Sequence, residues 1–492
     1  MTPGTDNIVG LIVEAARAYP ERIALRAEDA ELTWAQLADA VGRAAAGLRE
    51  RGLAPGDRFA LAVPNGIDFA VGYFAALAAD LVAAPLNPGY SGEELAALVT
   101  ASGAGLVLAP ADVAGVPHVA GYRELLGEAA GEIAPERGGE DLAVLLHTSG
   151  TSGRPRGVML SHRAMLANVE QLAALDPAPM TGEDVVLLAL PLSHAYGLGP
   201  GLHAVARHGA TGVLVPRFDP AATLELVESA AVTCVLGVPA MYQAWVAQPG
   251  FAEKTRAVRL AVCGAAGLPP SVRERIMAAG PTVAEGYGLT EAGPVVTSAL
   301  ASPATVAGSV GRPLPGVELR LMGADDLPLE PADFEADENA SPGTDPGEIV
   351  VRGPNLFSGY WPDGSGGPDP DGWWRTGDIG YLDADGELFL VDRLAELIEV
   401  SGFHVYPREV EAVLCEHPGV AEAAVVGVPD ERTGRAVLAY VVPRGELTEA
   451  ELRAYCDRAL VAFKRPVRLV FVAHLPHSAT GKVRKSDLVE DV

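Results

Sequence analysis

Residues 142–157 read LAVLLHTSGTSGRPRG, an apolar run followed at once by a loop of hydroxyl, glycine and arginine residues. The run Leu142–His147 predicts a buried strand. Glycines in the loop let the backbone turn with positive φ and bring amide N–H groups close to a ligand. Hydroxyl and guanidinium donors suit phosphate oxygens, and no GKS or GKT closes the loop as in a Walker A motif. A flexible turn is the alternative to a phosphate-binding loop made by Thr148, Ser149, Gly150, Thr151, Ser152, Gly153 and Arg156.

Strands alternate with helices on both sides of this loop, which predicts an α/β fold with parallel sheets. The predicted strands are Arg58–Val63, Val82–Pro85, Leu106–Ala109, Val185–Ala189, Gly212–Val215, Cys234–Val238 and Leu260–Cys263. From about residue 305, Gly, Pro and β-branched residues dominate, which predicts a small antiparallel or barrel-like β unit. Its predicted segments are Val310–Leu321, Glu348–Val351 and Glu387–Val391. We interpret the acidic segment 325–348 as a solvated hairpin loop.

The C-terminal part reads as a separate small α+β domain, so we expect a large domain at 1–393 and a mobile lid at 394–492. Its predicted elements are a strand pair near 396–405, a helix at 408–416, strands at Val420–Val428 and Ala436–Pro443, and a helix at 448–461. Residues 453–485 carry eight basic side chains against one acidic, Asp457. This segment is locally positive although the chain as a whole is strongly negative, so an anionic ligand could bind there.

Composition excludes several classes of function. The chain has 492 residues and a formal net charge of −28, so it repels phosphate backbones and anionic lipid surfaces, and we expect no nucleic-acid and no membrane partner. The apolar stretch Phe69–Ala79 is too short to span a bilayer. The four cysteines show no CxxC spacing and no disulfide framework, and residues 1–20 lack a basic signal-peptide region. We therefore expect a cytoplasmic protein.

Eight segments together resemble the adenylate-forming superfamily of acyl-CoA synthetases, luciferases and peptide-synthetase adenylation domains. Beside the 148–157 loop they are Pro191–Gly197 (PLSHAYG), Cys263–Ala266 (CGAA), Tyr287–Glu291 (YGLTE), Trp374–Asp378 (WRTGD), Val391–Arg393 (VDR), Ser401–Val405 (SGFHV) and Leu475–Lys482 (LPHSATGK). They follow the superfamily's order and cover nearly the whole chain. The resemblance is closest to acyl-CoA ligases, and it implies ATP/AMP, Mg²⁺ and coenzyme A as cofactors.

The resemblance implies nucleotide contacts residue by residue. The 148–156 loop holds the β- and γ-phosphates, the backbone of Gly264, Ala265 and Ala266 borders the adenine, and Tyr287 stacks on it next to Gly288. Asp378 takes both ribose hydroxyls. Arg393 contacts ribose or phosphate, and Gly402 lies in the loop after the hinge.

The catalytic roles that the resemblance implies fall on Lys482, Thr290, Glu291, His194 and Arg156. Thr290 bonds the α-phosphate and Glu291 binds Mg²⁺. Lys482 places its ammonium between the substrate carboxylate and the α-phosphorus. Because Lys482 belongs to the lid, the site is complete in one domain arrangement only. In the other arrangement, 401–405 covers the site and a tunnel opens for the CoA thiol.

The acyl pocket is predicted from five segments, Ser193–Leu198, Gly237–Met241, Gly264–Gly267, Gly286–Gly288 and Ala292–Thr297. They hold no ionised group of the kind that a dicarboxylate or an amino acid requires, so we expect a hydrophobic monocarboxylic acid, whether aromatic, polycyclic or medium-chain. The many small residues suggest a roomy pocket. Its predicted lining is His194, which gates it or orients the carboxylate, with Gly197, Val238, Gly264, Gly286, Gly288 and Val295.

Two residues depart from the superfamily pattern. Arg156 stands where the phosphate loop usually has Lys, and the two are not interchangeable. At the predicted hinge, Asp392-Arg393 is followed by Leu394 and then Ala395 instead of Lys or Asp. A two-step acyl-CoA ligase is the primary hypothesis. The alternative is a ligase impaired in adenylation, which forms thioester from an acyl-adenylate supplied by a partner adenylating enzyme.

Three other classes fit the fold less well. A peptide-synthetase adenylation domain is expected to precede a carrier domain, whereas the chain ends ten residues after Lys482. Nothing in the sequence indicates the oxygen chemistry of a luciferase. A non-catalytic binding protein is expected to lose Lys482 or Glu291, and the chain keeps both.

Overall fold

The computed structural model describes residues 6–28, 30–113, 115–127, 132–148, 155–323, 325–329, 343–401, 403–430, 432–477 and 483–488. These residues form two compact units. The large unit comprises the described residues up to 148 together with 155–318 and 352–374. The small unit comprises those of 319–351 and 375–488. Within these ranges, no helix has both the length and the apolar character needed to cross a bilayer.

The α-helices of the large unit are α1 Gly10–Ala18, α2 Trp34–Glu50, α3 Ile67–Ala78, α4 Gly92–Ser102, α5 His162–Ala173, α6 Ala204–His208, α7 Pro220–Ser229, α8 Pro239–Val246, α9 Phe251–Lys254 and α10 Pro270–Ala278. A π-helical segment, Gly197–His203, leads directly into α6. Four of the described helices of this unit, α2, α4, α5 and α7, begin after a side chain that caps them. At the start of α2, Thr33 accepts a hydrogen bond from the amide of Gln36, and the Gln36 side chain accepts one from the Thr33 amide in return.

The strands of the large unit follow the predicted apolar runs closely. They are β1 Ile23–Arg26, β2 Glu31–Thr33, β3 Arg58–Leu61, β4 Val82–Pro85, β5 Ala104–Leu108, β6 His118–Val119, β7 Leu142–Thr148, β8 Arg156–Ser161, β9 Val185–Leu188, β10 Thr211–Leu214, β11 Cys234–Gly237, β12 Leu260–Cys263, β13 Thr282–Gly288, β14 Val295–Ser298 and β15 Arg312–Pro313.

These strands form two sheets. A six-stranded sheet has the order β6-β5-β3-β4-β7-β8 and is parallel except where β8 pairs with β7. A nine-stranded sheet has the order β15-β14-β13-β12-β11-β9-β10-β1-β2 and is parallel from β13 to β1, with antiparallel pairs at both ends. The prediction of parallel α/β sheets is confirmed. One assignment is wrong: Arg312–Pro313 pairs with β14 in the nine-stranded sheet and does not belong to the small β unit.

The strands that follow build the small unit's two sheets. They are β16 Glu318–Met322, β17 Gly347–Arg352, β18 Trp373–Leu382, β19 Leu388–Arg393, β20 Ile398–Val400, β21 Phe403–Val405, β22 Val420–Asp430, β23 Gly434–Pro443 and β24 Arg468–Phe471. One sheet has the order β16-β17-β18-β19, and the other has β21-β20-β23-β22 with β24 beside β23. The helices are α11 Pro407–Glu416 and α12 Glu449–Ala459.

The C-terminal elements match the predicted α+β pattern apart from β24. This short strand lies in the basic tail, where Arg468 interrupts the apolar pattern. A buried core that includes Ile398, Val410 and Val437 holds the five-stranded sheet and its helices together. The four-stranded sheet groups with this region in the small unit. That a mobile lid begins at residue 394 stays a prediction. Much of the acidic segment 325–348 lies outside the described residues.

Candidate active site

The predicted phosphate loop is the turn of an antiparallel hairpin. Strands β7 and β8 pair antiparallel, with Thr148 opposite Arg156 at the end of the ladder next to the loop. The pairing fixes both ends of the loop at the edge of the six-stranded sheet. Ser149, Gly150, Thr151, Ser152 and Gly153 lie outside the described residues, so their contact with phosphate stays a prediction.

Arg156 and Glu291 contact the same aromatic residue, Tyr360, the first at its ring face and the second at its hydroxyl. The guanidinium carbon of Arg156 lies 3.4 Å from the centroid of the Tyr360 ring. The phenol of Tyr360 donates a hydrogen bond of 2.8 Å to Glu291 Oε1. Burial and the nearby Glu291 carboxylate raise the pKa of Tyr360, so the phenol stays protonated as a donor. Sequence reasoning missed Tyr360, which lies outside every motif and reaches β8 through a bridge to Val158.

The turn that carries Thr290 and Glu291 is held by close backbone contacts. A Cβ on Gly288 would overlap the carbonyl oxygen of Pro294, so only glycine fits there. The amide of Phe357 donates to the Glu291 carbonyl at 2.9 Å. Both Thr290 and Glu291 are buried to 9% exposure. The predicted catalytic pair therefore stands on a rigid support.

The predicted adenine loop and Tyr287 lie at the carboxyl ends of adjacent parallel strands, because β12 pairs with β13. Ala265 has φ of +71°, a left-handed conformation that costs a non-glycine residue about 1 kcal/mol or more. The loop is held by Glu285, whose Oε2 accepts a 2.9 Å hydrogen bond from the amide of Leu268. Burial raises the pKa of the Glu285 carboxyl. Glu285 is a second residue that the motifs did not indicate.

Two tyrosines fill space beside the predicted acyl pocket. A Cβ on Gly264 would lie 2.9 Å from the Tyr196 ring, and one on Gly237 would lie 2.9 Å from the Tyr242 ring. Both phenols donate to the carbonyl oxygen of Val262, at 3.3 Å from Tyr196 and 2.9 Å from Tyr242. The glycines at 237 and 264 thus make room for aromatic rings, and a role of these rings in an acyl pocket stays a prediction.

Other glycines of the predicted pocket are explained by packing of the backbone. A Cβ on Gly197 would overlap the carbonyl oxygen of Pro191, and one on Gly286 would come within 3.0 Å of the Thr297 carbonyl oxygen. The inference from glycine content to a roomy pocket is therefore wrong at these positions. Their physical requirement is close approach of the main chain.

His194 closes a backbone turn before the π-helical segment, since its amide donates to the Pro191 carbonyl at 3.0 Å. Its Nδ1 accepts a 3.2 Å hydrogen bond from the Tyr196 amide, which requires Nδ1 to be unprotonated. In the neutral ring the proton is then on Nε2. Of the two valines in the predicted lining, Val238 is the N-cap of α8 and Val295 begins β14.

The two predicted ribose ligands are neighbours across a hairpin. Asp378 on β18 stands directly opposite Arg393 on β19. Arg393 Nε lies 3.1 Å from Asp378 Oδ1, and the aspartate is buried while the arginine is half-exposed. The pair belongs to the small unit. The predicted residues Gly402 and Lys482 lie outside the described residues.

The predicted hinge acid is tied to the following helix. Asp392 accepts hydrogen bonds from the amides of Arg393 at 2.8 Å and of Arg408, in the first turn of α11, at 2.9 Å. Burial raises the pKa of Asp392, and the two amides oppose that shift. Ala395 is exposed in a short 3₁₀ turn, Leu394–Glu396. Hinge motion at these residues stays a prediction.

The carboxylates of the candidate site suit a metal ion that takes most of its ligands from the substrate and from water. Among the residues that the structure describes, no three or more His, Cys, Asp or Glu side chains are grouped to hold an ion. Mg²⁺ commonly takes one or two carboxylates together with phosphate oxygens and waters. The single buried carboxylate of Glu291 fits that requirement.

Comparison with known families decides the class. A family model for AMP-binding enzymes matches residues 12–361, and the model for the C-terminal domain of AMP-binding enzymes matches 409–482. The chain belongs to the AMP-binding enzyme family. This AMP-binding enzyme is 36% identical over 491 residues to a feruloyl-CoA synthase of an Amycolatopsis species, with 97% of each chain covered. It is 35% identical over 479 residues to 4-coumarate–CoA ligase 5 of Oryza sativa subsp. japonica, covering 91% of this chain and 87% of that one.

A solved structure of a related enzyme has the same fold as this chain. ATP-bound MatB from Rhodopseudomonas palustris has 31% sequence identity and a TM-score of 0.88, with 99% of each chain covered. This member of the family is an acid–thiol ligase that joins a carboxylic acid to coenzyme A through an acyl-adenylate, with ATP as the adenylate donor.

Proposed function

We propose that this AMP-binding enzyme activates a hydrophobic monocarboxylic acid, an aromatic acid foremost, and that polycyclic and medium-chain acids are its other candidates. The observation that carries the proposal is the acyl side of the site. Its segments contain no ionised side chain, and the rings of Tyr196 and Tyr242 pack there against glycines. The names of two relatives, feruloyl-CoA synthase and 4-coumarate–CoA ligase, support an aromatic acid.

In the first step, a substrate carboxylate oxygen attacks the α-phosphorus of ATP, and the bond to pyrophosphate breaks. Thr290 donates to the α-phosphate, and the ammonium of Lys482 neutralises charge that builds between carboxylate and phosphorus. Thr148, Ser149, Gly150, Thr151, Ser152, Gly153 and Arg156 hold the leaving pyrophosphate. Tyr287, the 264–266 backbone, Asp378 and Arg393 hold the adenosine.

Glu291 is the proposed ligand for Mg²⁺. When bound, the ion neutralises phosphate charge and orients the leaving group. Tyr360 holds Glu291 Oε1 by its phenolic hydrogen bond and so fixes the orientation of the carboxylate. Arg156, on the face of the same ring, adds a positive charge next to this group.

In the second step, the sulfur of coenzyme A attacks the acyl carbon, AMP leaves, and the thiol proton passes to solvent. We propose that residues 394–492 rotate between the two steps about Asp392 and Ala395, which removes Lys482 and brings the loop containing Gly402 to the site. His194 gates the acyl pocket or orients the carboxylate.

The alternative, a ligase impaired in adenylation because of Arg156 and Ala395, is not adopted. Arg156 retains a positive charge, and its stacking on Tyr360 links it to the proposed Mg²⁺ ligand. Two relatives are named as a feruloyl-CoA synthase and a 4-coumarate–CoA ligase, which supports formation of the thioester from the acid. A partner adenylating enzyme is then unnecessary.

A substrate panel tests the proposal. The purified protein is given ATP, Mg²⁺ and CoA with one acid at a time: a hydroxycinnamic acid, a saturated polycyclic acid, octanoic acid, malonic acid and phenylalanine. We expect AMP and thioester with at least one of the first three, and most efficiently with the aromatic acid. Preference for malonic acid or phenylalanine would overturn the assignment to hydrophobic monocarboxylic acids.

A further inference from the structure

The residues on either side of segment 478–482, which contains Lys482, pair with each other. We call residues 476–477 and 483–485 the base of the Lys482 loop. Residues 478–482 lie outside the described part of the chain, but the residues that flank them are placed. His477 and Val483 form an antiparallel bridge, and the amide of Arg484 donates to the Pro476 carbonyl at 2.8 Å. The residues on the two sides of segment 478–482 are therefore adjacent, and the contacts that hold them also fix where this segment is attached.

One arm of the base is held by Lys485, three residues after Lys482. Its Nζ lies 2.7 Å from Glu396 Oε2 and 2.8 Å from Glu411 Oε1. The lysine side chain is only 17% exposed, so these ion pairs are screened less than surface pairs. Glu411 is itself fixed, because its Oε1 also accepts a 2.8 Å hydrogen bond from the amide of Val425.

The other arm has its own charged contact. His477 Nε2 lies 2.6 Å from Glu422 Oε1, on strand β22. Both sides of the base are thus bound to the C-terminal fold.

Lys485 also connects the base to the predicted hinge. Glu396 is the last residue of the 3₁₀ turn that contains Ala395 and follows Asp392 by four positions. Glu411 lies on α11, the helix whose first turn is bound by Asp392. A single ammonium therefore links three parts of the chain: the hinge-side turn, α11 and the terminal segment.

We propose that Lys485 is a positioning residue for adenylation, which holds the base of the Lys482 loop against the hinge-side turn. This rests on the proposed role of Lys482 in the first step. Removal of the Lys485 charge leaves the carboxylates of Glu396 and Glu411 facing each other without a counter-ion, and the base loses its attachment on that arm. Lys482 then reaches the α-phosphate from a less defined origin, and loss of such orientation slows a reaction. The second step, which does not use Lys482, is spared.

The test compares Lys485→Met with Glu396→Gln, Lys485→Arg and the control Lys464→Met. Lys464 also bonds a glutamate in the same domain, since its Nζ lies 2.5 Å from Glu409 Oε1, but it is far along the chain from the Lys482 loop. Each variant is assayed for pyrophosphate release from ATP and acid, and separately for thioester formation from a preformed acyl-adenylate and CoA. Amide hydrogen exchange of segment 475–488 is measured in parallel.

We expect Lys485→Met to lower kcat for pyrophosphate release by about tenfold or more, with thioester formation within about twofold of the unmodified enzyme. Glu396→Gln is expected to act in the same direction but less strongly, and exchange of 475–488 to rise in both variants. Lys485→Arg and Lys464→Met are expected to keep both rates within about twofold. If Lys485→Met does not fold, Glu396→Gln carries the test.

Equal loss of both half-reactions, or a Lys485→Met variant indistinguishable from Lys464→Met, would overturn the proposal. Failure of the proposed function gives a different result, because the unmodified enzyme itself then releases no pyrophosphate with any acid of the panel.

Discussion

The guanidinium of Arg156 lies over the Tyr360 ring, with its central carbon 3.4 Å from the ring centroid. The same tyrosine donates to Glu291 Oε1 at 2.8 Å. The arginine that replaces the expected lysine of the phosphate loop is therefore connected through one ring to the proposed Mg²⁺ ligand. Arg156 and Glu291 are 135 positions apart in the sequence, and both contact Tyr360.

Substitution Tyr360→Phe tests this connection. It removes the hydrogen bond to Glu291 and keeps the ring under Arg156. Because a hydrogen bond to a charged group contributes roughly 1.5–3 kcal/mol, we expect pyrophosphate release to fall by about tenfold or more. The measurement is initial pyrophosphate release against Mg²⁺ concentration, with a higher Mg²⁺ requirement expected in the variant.

The control is Tyr455→Phe, which alters a tyrosine whose phenol lies 3.5 Å from Glu416 Oε2 elsewhere in the C-terminal region. It should leave the rate unchanged. Equal rates for Tyr360→Phe and the unmodified enzyme at all Mg²⁺ concentrations would remove Tyr360 from the account.

Arg156 is expected to act through its charge and through its stacking. A guanidinium over an aromatic face contributes roughly 0.5–2 kcal/mol, and a lysine keeps the charge without the planar contact. We expect Arg156→Met to lower the rate of pyrophosphate release by about tenfold or more. The rate of Arg156→Lys should lie between those of Arg156→Met and the unmodified enzyme. A rise in the rate on Arg156→Lys would instead show that the arginine impairs adenylation.

The packing of Tyr196 against Gly264 predicts a change of acid preference. A methyl group at Gly264 would come within 2.9 Å of the ring, so the tyrosine must move into or away from the acyl side. In Gly264→Ala we expect the KM for the preferred acid to rise by about tenfold and the KM for ATP to change much less.

Gly267→Ala is the matched control in the same loop, because a Cβ there meets nothing within 4 Å. Steady-state kinetics over the acid panel distinguish the two variants. An unchanged acid profile in Gly264→Ala would contradict the placement of Tyr196 at the acyl wall.

Stability should fall in mild acid because His203 is buried as a neutral ring. Its Nε2 and the hydroxyl of Tyr73 are 2.9 Å apart, and burial lowers the pKa of His203 from 6.5 to about 3. Below pH 6.5 the unfolded chain binds a proton that the folded chain does not, so stability is lost as the pH falls. Between pH 7 and pH 5 this residue alone should lower the free energy of unfolding by about 2 kcal/mol.

Urea unfolding of the unmodified protein and of His203→Gln at both pH values measures the effect. The variant is expected to lose less stability on acidification. Parallel pH profiles for the two proteins would show that His203 does not contribute.

The strands of the interior were predictable because parallel strands buried on both faces are uninterrupted apolar runs. Val82–Pro85 and Leu260–Cys263 were placed to the residue. The edge strand Arg312–Pro313 was assigned to the wrong sheet, since two residues carry no periodicity and pairing partners are set by tertiary contacts.

The candidate site was predictable as a set of motifs and less so as an arrangement. Asp378 and Arg393 appear in separate motifs, and only the β18–β19 register places them side by side. Tyr360 and Glu285 belong to none of the motifs, and only the structure shows that Tyr360 bonds Glu291 and that Glu285 bonds the amide of Leu268. A glycine in the predicted pocket can indicate either free volume or close packing. The sequence alone does not distinguish the two at Gly264, where the structure shows close packing against Tyr196.

The most direct test divides the reaction into its two steps. The enzyme is mixed with a hydroxycinnamic acid and ATP·Mg²⁺ without CoA, and pyrophosphate and acyl-adenylate are measured; CoA is then added and thioester and AMP are measured. We expect pyrophosphate and adenylate before CoA addition, and thioester with an equal amount of AMP after it. Thioester formation from a preformed adenylate, without pyrophosphate release from ATP and any acid of the panel, would contradict it.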